Sequence, residues 1–275
     1  MSIYLVGDIH GCYEEFQLLL KKSSFNIEKD FLWVSGDLVS RGPDSIKVIK
    51  YLFSVRKRVK IVLGNHDLNL ILIHSGIKKN KKENFFDEFL TSKDNLKLIY
   101  WLRSQPFVQI DHKNKIIMSH AGISPQWDIC TAEKYSKKIS EFLLSDNYAL
   151  FLESMFDNNI NYWSSNLNRL DRLRYSINVF TRMRYCYFDG RLNLSNKLSP
   201  LYVKHPLKPW FMFKTKIPSD YSIFFGHWSN LKGFDVPLPF FSLDTGCCWG
   251  GSLSMIRLED KKWFSQSFIK KSVLK

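Results

Sequence analysis

Three short apolar runs in the first quarter of the chain each end within two positions of a glycine. They cover residues 3–6, 31–34 and 60–63, and each is rich in β-branched or aromatic residues. Runs of this length and composition are typical of buried β-strands, and a helical spacing of apolar residues follows each one. Strand, turn and helix in this repeated order predict an α/β fold with parallel strands.

The rest of the chain continues this alternation with one long exception. Residues 84–105 have a helical pattern, and residues 108–110 and 116–118 have the pattern of strands. Residues 131–179 contain no glycine or proline and are largely helical in pattern, which predicts a helical cap within about residues 131–180. We therefore predict a single domain over residues 1–275 with that insertion. Strand-like runs return at residues 221–225, 240–243, 253–258 and 263–268.

The composition is that of a globular chain without a membrane segment. With 45% hydrophobic residues among 275, the chain can form one large core. No stretch approaches the roughly 18 consecutive apolar residues of a membrane span, and the N-terminus does not resemble a signal peptide. The five cysteines are scattered and odd in number, which argues against a disulfide framework. These features predict a cytoplasmic protein.

The chain is strongly basic, with 40 Lys and Arg residues against 26 Asp and Glu and a formal charge of +14. Such an excess favours a polyanionic partner, such as a nucleic acid or a phosphate-rich substrate. A lysine-rich coding bias produces the same excess. We interpret most of the lysines, including the run at residues 78–82, as solvated surface. Charge alone therefore identifies no partner.

Aspartate, asparagine and histidine follow the predicted strands in five segments, mostly flanked by glycine. Glycine lets the backbone turn sharply and approach an ion or a phosphate closely. Carboxylate, amide oxygen and imidazole form a ligand set for Mn, Fe, Co, Ni or Zn, and two such ions about 3.5 to 4 Å apart share bridging ligands. A lone aspartate after a strand is usually a turn or cap residue, but five ordered segments predict a binuclear metal site. The segments are GDIHG at residues 7–11, GDLVSRG at 36–42, GNHD at 64–67, SHAG at 119–122 and GHW at 226–228.

The order of these five segments resembles that of the calcineurin-like metallophosphoesterases. Further stretches resemble one branch of that family, which contains serine/threonine protein phosphatases and bacterial symmetrical diadenosine tetraphosphatases, and they favour the second group. The resemblance covers nearly the whole chain. It implies an α/β fold in which two β-sheets form a sandwich flanked by helices. The further stretches are GDLVSRGP at residues 36–43, FTRMRYC at 180–186, KPWF at 208–211, FGHW at 225–228 and LDTGCCWGG at 243–251.

The same resemblance implies that six residues hold two divalent metal ions. Mn or Co is expected, and Fe, Zn, Ni or Mg are alternatives because this ligand set accepts several ions. In such a site a bridging hydroxide attacks phosphorus in line with the leaving oxygen. The implied assignment places Asp8 and His10 on the first ion, Asp37 between the two ions, and Asn65, His120 and His227 on the second.

Other residues are implied to act on the substrate. His66 corresponds to the general acid that protonates the leaving group, a role that suits the usual pKa of imidazole. Arg41 is expected to clamp the scissile phosphate with its planar guanidinium. Arg182 and Arg184 are candidates for a second phosphate clamp, with surface salt bridges as the alternative. The candidates for stacking on a purine are Trp163, Trp210 and Trp249, for which core packing is the alternative.

The chain departs from the protein-phosphatase pattern at Ser40. Protein phosphatases of this family have an aspartate before the motif arginine, where it supports the catalytic histidine. In this chain the support for His66 is absent or comes from another group, for which Asp67 is the candidate. The difference favours a dinucleoside polyphosphatase over a phosphoprotein phosphatase.

Three functional hypotheses follow. The first is symmetrical hydrolysis of diadenosine tetraphosphate to two ADP, together with hydrolysis of related dinucleoside polyphosphates. Removal of caps derived from dinucleoside polyphosphates from RNA 5′ ends is the same chemical attack and stays open. The second hypothesis is a serine/threonine phosphoprotein phosphatase. The third is a basic nucleic-acid-binding protein with a structural metal site, against which the complete ligand set argues. Nothing in the sequence indicates an obligatory protein partner.

Overall fold

The computed structural model describes residues 1–155, 159–231 and 234–269. Within these ranges the chain forms twelve β-strands and eight α-helices. The strands are β1 (Ile3–Val6), β2 (Phe31–Val34), β3 (Val59–Ile61), β4 (Val108–Asp111), β5 (Ile116–Ser119), β6 (Tyr185–Tyr187), β7 (Leu192–Asn193), β8 (Leu207–Pro209), β9 (Ser222–Phe225), β10 (Phe240–Ser242), β11 (Ser252–Arg257) and β12 (Lys262–Ser267). The helices are α1 (Tyr13–Lys22), α2 (Ser45–Ser54), α3 (Asn65–His74), α4 (Asp87–Thr91), α5 (Asn95–Arg103), α6 (Ile129–Leu144), α7 (Tyr148–Met155) and α8 (Arg169–Arg182).

The strands form two large sheets and one small sheet. In the first sheet, of order β12-β11-β1-β2-β3, β1 to β3 run parallel and β11 is antiparallel to both of its neighbours. In the second sheet, of order β10-β9-β5-β4, β5, β9 and β10 run parallel and β4 is antiparallel to β5. The third sheet, β7-β6-β8, is antiparallel. The predicted α/β architecture with parallel strands is confirmed, whereas the hydrophobic pattern does not predict the small third sheet.

The two large sheets pack face to face through alternate residues of their strands. Leu5 and Trp33 of the first sheet and Met118 and Phe224 of the second belong to one buried cluster between the sheets. Val6 follows Leu5 and therefore points to the opposite face of β1, into a larger cluster shared with the helices. Both faces of β1 are thus apolar and buried, which fixes the register of the strand. The predicted sandwich of two sheets flanked by helices is confirmed.

The helices in the middle of the chain follow the predicted pattern with one interruption. The helical pattern of residues 84–105 is broken at Ser92, where extended backbone (ψ 135°) separates α4 from α5. The predicted helical segment at residues 131–180 contains α6, α7 and α8, which pack on one another and on α3, α5 and β4. Their buried side chains, such as Ile139 and Tyr175, belong to the larger core cluster. That this segment acts as a cap within one domain of residues 1–275 stays a prediction.

Over the described ranges, none of the helices combines the length and the apolar character that crossing a membrane requires. 

The turns that follow several strands meet at one edge of the sandwich. β1, β2 and β3 run parallel, so Asp8, Asp37 and Asn65, which come after their carboxyl ends, lie at the same edge. β5 and β9 are parallel to each other and end just before His120 and His227. The fold thus gathers polar residues from five separate turns in one place.

Candidate metal centre

Two histidines at this edge are oriented by backbone carbonyl groups. Nδ1 of His10 lies 3.1 Å from the carbonyl oxygen of Val39, and Nδ1 of His120 lies 2.9 Å from that of Ser35. A carbonyl oxygen only accepts hydrogen bonds, so Nδ1 carries the proton in both rings and Nε2 presents a lone pair. A hydrogen bond of this kind commonly orients a histidine that binds a metal ion through its other nitrogen.

Asp37 lies between these two lone pairs. Its Oδ2 atom is 3.5 Å from Nε2 of His10 and 3.5 Å from Nε2 of His120. Its Oδ1 atom accepts a hydrogen bond of 2.8 Å from the backbone N–H of His66. Burial lowers the pKa of His10 to about 4 and that of His120 to about 3, so both rings are neutral near pH 7. A carboxylate that faces two nitrogen lone pairs is repelled by them unless cations lie between.

Two further ligand-type side chains lie close to Nε2 of His120. This atom is 3.2 Å from Nδ1 of His227 and 3.3 Å from Oδ1 of Asn65. The Asn65 oxygen faces acceptors, among them the carbonyl oxygen of Thr181, and a rotated amide would donate to them instead. The orientation with the oxygen inward is favourable when a cation lies among these atoms. The amide therefore behaves as expected for a metal ligand.

The spacing of these atoms fits two divalent ions. Ligand atoms about 2.0 to 2.3 Å from one ion, at tetrahedral or octahedral angles, lie roughly 3.0 to 3.5 Å from each other. The separations of 3.2 to 3.5 Å found here agree with that range. Ligand atoms also converge in two groups, each within 4.8 Å, and Asp37 belongs to both. The groups are His10 with Asp37 and His66, and Asp37 with His120 and His227.

The Asp8 carboxylate is nearly fully buried at the same site. Its Oδ1 atom accepts a hydrogen bond of 2.8 Å from the Ser35 hydroxyl, and its Oδ2 atom accepts one of 2.8 Å from the His227 N–H. Burial, followed by the charges of Asp244 and Asp37, raises its pKa well above the usual value. Burial is also the first cause of the raised pKa of Asp37. Bound divalent ions would neutralise this concentration of buried carboxylates.

Five polar residues of the site have a left-handed backbone. Their φ angles lie between 46° and 76°. Few residues other than glycine adopt this strained conformation, which persists where the surrounding contacts impose it and is common at functional sites. The five are His10, Asp37, Ser40, Arg41 and His227.

Two glycines leave the space that the carboxylates occupy. A Cβ atom at Gly226 would overlap Oδ1 of Asp8, and one at Gly64 would overlap Oδ1 of Asp37. Both glycines are therefore needed because the carboxylates approach the backbone closely.

We expect Gly226→Ala to weaken metal binding by about 10- to 100-fold, because the added methyl group displaces the Asp8 carboxylate. The free energy of unfolding should fall by roughly 1 to 3 kcal/mol through overpacking. Elemental analysis and thermal unfolding measure the two effects. Gly76→Ala is the control: its φ angle of 80° disfavours a side chain, but no atom lies within 4 Å of the added Cβ, so it should cost stability and leave metal affinity unchanged. Unchanged metal affinity in Gly226→Ala would contradict the expectation.

His66 lies beside the ligand cluster and lacks a polar partner for one ring nitrogen. Its ring centroid is 4.9 Å from that of His10, in an edge-to-face contact. Within the described ranges, its buried Nδ1 atom has no hydrogen-bond partner. Burial, followed by the neighbouring His10 and Arg41, lowers the pKa of His66 to about 2. Burial therefore favours the neutral ring, whereas the role expected of His66, as a general acid, requires a protonated ring.

Asp67, the candidate for the support of His66, contacts other groups. Oδ1 of Asp67 accepts a hydrogen bond of 2.9 Å from the N–H of Leu38, and Oδ2 accepts one of 2.9 Å from the N–H of Gly64. The carboxylate thus caps the first turn of α3 and ties it to the preceding loop. The hydroxyl of Ser40, likewise buried, meets no hydrogen-bond partner in the described part of the chain. Serine at this position therefore does not replace the aspartate of the protein phosphatases.

Arg182 and Arg184 both border the site. Nη1 of Arg182 donates to the amide oxygen of Asn178 at 2.8 Å. Nη2 of Arg184 donates to the carbonyl oxygen of His227 at 2.9 Å, so this arginine holds the backbone of a predicted metal ligand. Burial lowers the pKa of Arg184 to about 10, which leaves the side chain protonated near pH 7. The alternative of a surface salt bridge does not account for Arg184, because its guanidinium donates to a backbone carbonyl group.

Arg182, Arg184 and several of the predicted metal ligands line a cleft with a volume of about 940 Å³. Seven basic residues and two aspartates contribute to its lining within the described ranges. Three of the lysines belong to the run at residues 78–82; they are exposed, as expected for a solvated loop, and they also line the cleft. The excess of positive charge favours an extended anionic ligand. The basic residues are Arg41, Lys78, Lys79, Lys81, Arg182, Arg184 and Lys197.

The three tryptophans considered for stacking have different surroundings. Trp210 is 2% exposed, and Trp163 packs edge to face on Trp127 with ring centroids 5.1 Å apart. Trp210 belongs to the buried core, and Trp163 is half-buried against it. Trp249 is 64% exposed, lines the cleft and lies 5.2 Å from Cζ of Arg41. Of the three, Trp249 is the one that a ligand can reach.

Two residues of the site were not identified from the sequence. Asp244 follows β10 and lines the cleft; burial raises its pKa to about 6, and one carboxylate oxygen accepts a hydrogen bond of 3.0 Å from the Gly246 N–H. Ser35 holds Asp8 through its hydroxyl and His120 through its carbonyl oxygen. An aspartate just after a strand, in the stretch LDTGCCWGG, is a signal that could have identified Asp244.

Comparison with known proteins agrees with this geometry. The profile of the family described as calcineurin-like phosphoesterase matches residues 1–179, which is more than half of the chain. The chain belongs to the calcineurin-like phosphoesterase family. Membership implies bound divalent metal ions, and the two ligand groups that share Asp37 fit them. The predicted family is therefore confirmed.

Two bacterial relatives of this calcineurin-like phosphoesterase match it along nearly their whole length. A protein of Buchnera aphidicola subsp. Schizaphis graminum is 68% identical over 98% of this chain and 99% of its own. A protein of Pectobacterium carotovorum is 48% identical over 97% of this chain and 95% of its own. Both are named symmetrical bis(5'-nucleosyl)-tetraphosphatase. The narrower resemblance to that branch of the family is confirmed.

Solved structures share the fold of this calcineurin-like phosphoesterase. One, provisionally identified as a diadenosine tetraphosphatase, superposes with a TM-score of 0.67 at 20% identity and covers 98% of this chain and 95% of its own. A protein serine/threonine phosphatase from Saccharomyces cerevisiae superposes with a TM-score of 0.52 at 15% identity and covers 100% of this chain and 82% of its own. At such identities the likeness concerns the fold alone.

Proposed function

We propose that the protein hydrolyses diadenosine tetraphosphate and related dinucleoside polyphosphates symmetrically, releasing two ADP from the tetraphosphate. The observation that carries the proposal is the basic cleft that contains the metal-ligand cluster, in a chain 68% identical to a protein named for this reaction. A tetraphosphate chain carries several negative charges, and seven basic side chains line the cleft. The chemistry of ligand and cleft therefore match.

Two divalent ions are proposed as the cofactors, with Mn or Co favoured over Fe, Zn, Ni and Mg. The mixed oxygen and nitrogen donors argue against Mg, which prefers sites made only of oxygen, and are compatible with each of the other ions. When bound, such ions lower the pKa of water so that a nucleophile is available near neutral pH, and they offset charge on the phosphate. Asp8 and His10 are proposed to hold the first ion, Asp37 to bridge, and Asn65, His120 and His227 to hold the second.

The arginines are proposed to bind and orient the phosphate chain. Arg41 lines the cleft beside His10 and His66, where its planar guanidinium can donate two hydrogen bonds to one phosphate. Arg184 is anchored on the His227 carbonyl oxygen and contributes positive charge from one fixed position. Arg182 lines the same cleft and would contact a neighbouring phosphate.

His66 is proposed to give a proton to the leaving ADP. Its pKa of about 2 keeps the ring neutral in this site, so protonation requires a nearby anion. A bound phosphate chain would bring that negative charge beside the ring and raise its pKa. The role of His66 is therefore coupled to occupation of the cleft by substrate, and since ADP is a fairly good leaving group, His66 should matter less than Asp37.

A phosphoprotein phosphatase is the alternative function. Ser40 argues against it, because the buried serine hydroxyl does not take over the support of His66. Decapping of RNA 5′ ends that carry dinucleoside-polyphosphate-derived caps is a related proposal, since the attacked bond is the same.

We further propose that the protein acts in the cytoplasm, which agrees with the scattered cysteines. We also propose that it needs no obligatory protein partner.

The function is tested by analysing the products of diadenosine tetraphosphate hydrolysis. We expect ADP as the nucleotide product with Mn or Co, because attack occurs at the middle of the phosphate chain. A matched reaction with a phosphorylated peptide measures the alternative. Release of ATP plus AMP would contradict symmetrical cleavage, and fast turnover of the phosphopeptide without turnover of the dinucleotide would favour a phosphoprotein phosphatase.

A further inference from the structure

Trp249 occupies a position in the cleft that core packing does not explain. All eight tryptophans lie in the described ranges, and of these only Trp249 and Trp263 are exposed, at 64% and 47%. Trp263 lies on the edge strand β12, whereas Trp249 lines the basic cleft. A large aromatic ring presented to solvent within a polar cleft is typical of a site that contacts a ligand.

The turn that carries Trp249 is braced by its own backbone. It is a single 3₁₀ turn, Cys247–Trp249, flanked by Gly246 and Gly250 with left-handed φ angles of 73° and 85°. The N–H of Gly251 donates to the carbonyl oxygen of Gly246 at 2.9 Å and closes the turn. A ring held by such a turn loses little conformational entropy when a ligand stacks on it.

One face of the ring contacts the proposed phosphate clamp. Cζ of Arg41 lies 5.2 Å from the centroid of the Trp249 ring. Arg41 also lines the cleft together with His10 and His66. Arg41 therefore contacts Trp249 and also lies near the metal-ligand cluster. A guanidinium over part of an indole leaves the exposed part of the ring available for a second planar group.

We propose that the exposed surface of Trp249 binds a nucleobase of the substrate, with Arg41, indole and base forming one stack. The inference rests on the proposed hydrolysis of dinucleoside polyphosphates. A base on this ring is joined through its ribose to the phosphate chain that Arg41 clamps. The ring thus helps to set which phosphate lies at the metal centre. Stacking tolerates every base because each has a π face, so the subsite recognises a nucleoside end without selecting one base.

The test compares ligands with and without a nucleoside. Calorimetry on the metal-loaded full chain measures the Kd of ADP and of pyrophosphate, which carry the same number of phosphates. We expect Trp249→Ala to weaken ADP binding by about 10- to 100-fold and pyrophosphate binding by less than about twofold. Trp249→Phe should recover most of the affinity for ADP. Trp263→Ala is the matched control, because it removes an exposed tryptophan outside the cleft and should change neither Kd.

Kinetics provide a second measurement. Trp249→Ala should raise KM for diadenosine tetraphosphate by about the same factor and change kcat less, since stacking on the indole affects binding more than the chemical step. Equal losses for ADP and pyrophosphate would overturn the proposal, because the ring would then act only through Arg41. Unchanged ADP binding in Trp249→Ala would overturn it as well. Failure of the unmodified protein to release ADP would instead refute the proposed function, so the two failures are distinguishable.

Discussion

Replacing Asp37 with asparagine should lower kcat/KM for diadenosine tetraphosphate by about 10⁴-fold. Oδ2 of Asp37 lies 3.5 Å from Nε2 of both His10 and His120, so this carboxylate lies between the two groups of ligand-type atoms. Metal ions supply several kcal/mol of transition-state stabilisation, and each 1.4 kcal/mol or so corresponds to a factor of ten. The substitution should also reduce the metal content measured by elemental analysis.

The matched comparison is His66→Ala, which should lose about 10²-fold in rate while the metal content stays unchanged, since general acid catalysis contributes less. Asp30→Asn is the control for loss of a buried carboxylate. Asp30 lies at the opposite end of β2 and accepts hydrogen bonds from the N–H groups of Ser2 and Asn26 at 2.8 and 3.0 Å. Asp30→Asn should lower the free energy of unfolding and leave turnover unchanged. Equal residual rates for His66→Ala and Asp37→Asn, with ions retained in both, would contradict the proposed roles.

Removing divalent ions with a chelator should abolish hydrolysis and lower the Tm by roughly 10 to 20 °C near pH 8. The expected fall in Tm follows from two sites that each contribute about 2.7 kcal/mol when the concentration of free ion is about 100 times its Kd. Adding back Mn or Co should restore both properties. Activity and Tm measured with Mg in place of Mn or Co show how strongly the nitrogen donors select among these ions.

The fall in Tm on removal of the ions should be smaller near pH 5 than near pH 8. Burial raises the pKa of Asp8 and Asp37, and it raises that of Asp67 to about 7 and that of Asp244 to about 6. Without ions, these carboxylates in the folded chain therefore hold protons that the unfolded chain releases, and their contribution to stability falls as the pH rises from about 4 towards 7. Ions would bind the charged carboxylates of Asp8 and Asp37 and so remove the part of this dependence that comes from them.

The histidines do not reverse the sign of this effect. The pKa values of about 4 for His10 and about 3 for His120 keep both rings neutral between pH 5 and 8 in the folded chain, so they do not compete with ions in that window. The difference in Tm between metal-loaded and metal-free protein should therefore grow from pH 5 to pH 8. A difference that is constant or decreasing over this range, measured by thermal unfolding at several pH values, would contradict the assignment of buried carboxylates as metal ligands.

Much of the fold follows from the order of residues along the chain. Apolar runs ending near glycine predict β1, β2 and β3, and the long segment without glycine or proline predicts α6, α7 and α8. Local patterns succeed here because buried parallel strands are almost continuously apolar and helices repeat their apolar positions. The small sheet β7-β6-β8 escapes such reasoning, since strands of two or three residues carry too few positions to form a pattern.

The chemical class of the site was also readable from the sequence. Donor atoms of metal ligands belong to residue types, and the parallel strands bring the turns that carry them to one edge. Only the tertiary structure could determine what each neighbouring side chain contacts. Asp67 follows His66 in the sequence, yet its carboxylate binds backbone N–H groups at Leu38 and Gly64. The lysines at 78, 79 and 81 look like ordinary surface and line the cleft.

The sequence by itself therefore determined the residue types proposed as metal ligands, their order along the chain and the α/β framework that brings them together. The tertiary structure decided which tryptophan a ligand can reach, that Nδ1 of His66 has no hydrogen-bond partner in the described ranges, and that Asp244 and Ser35 lie at the site. The physical reason is that burial and hydrogen bonding depend on residues far apart in the chain. The bond from the His227 N–H to Asp8 spans 219 positions, and no local pattern of residues encodes it.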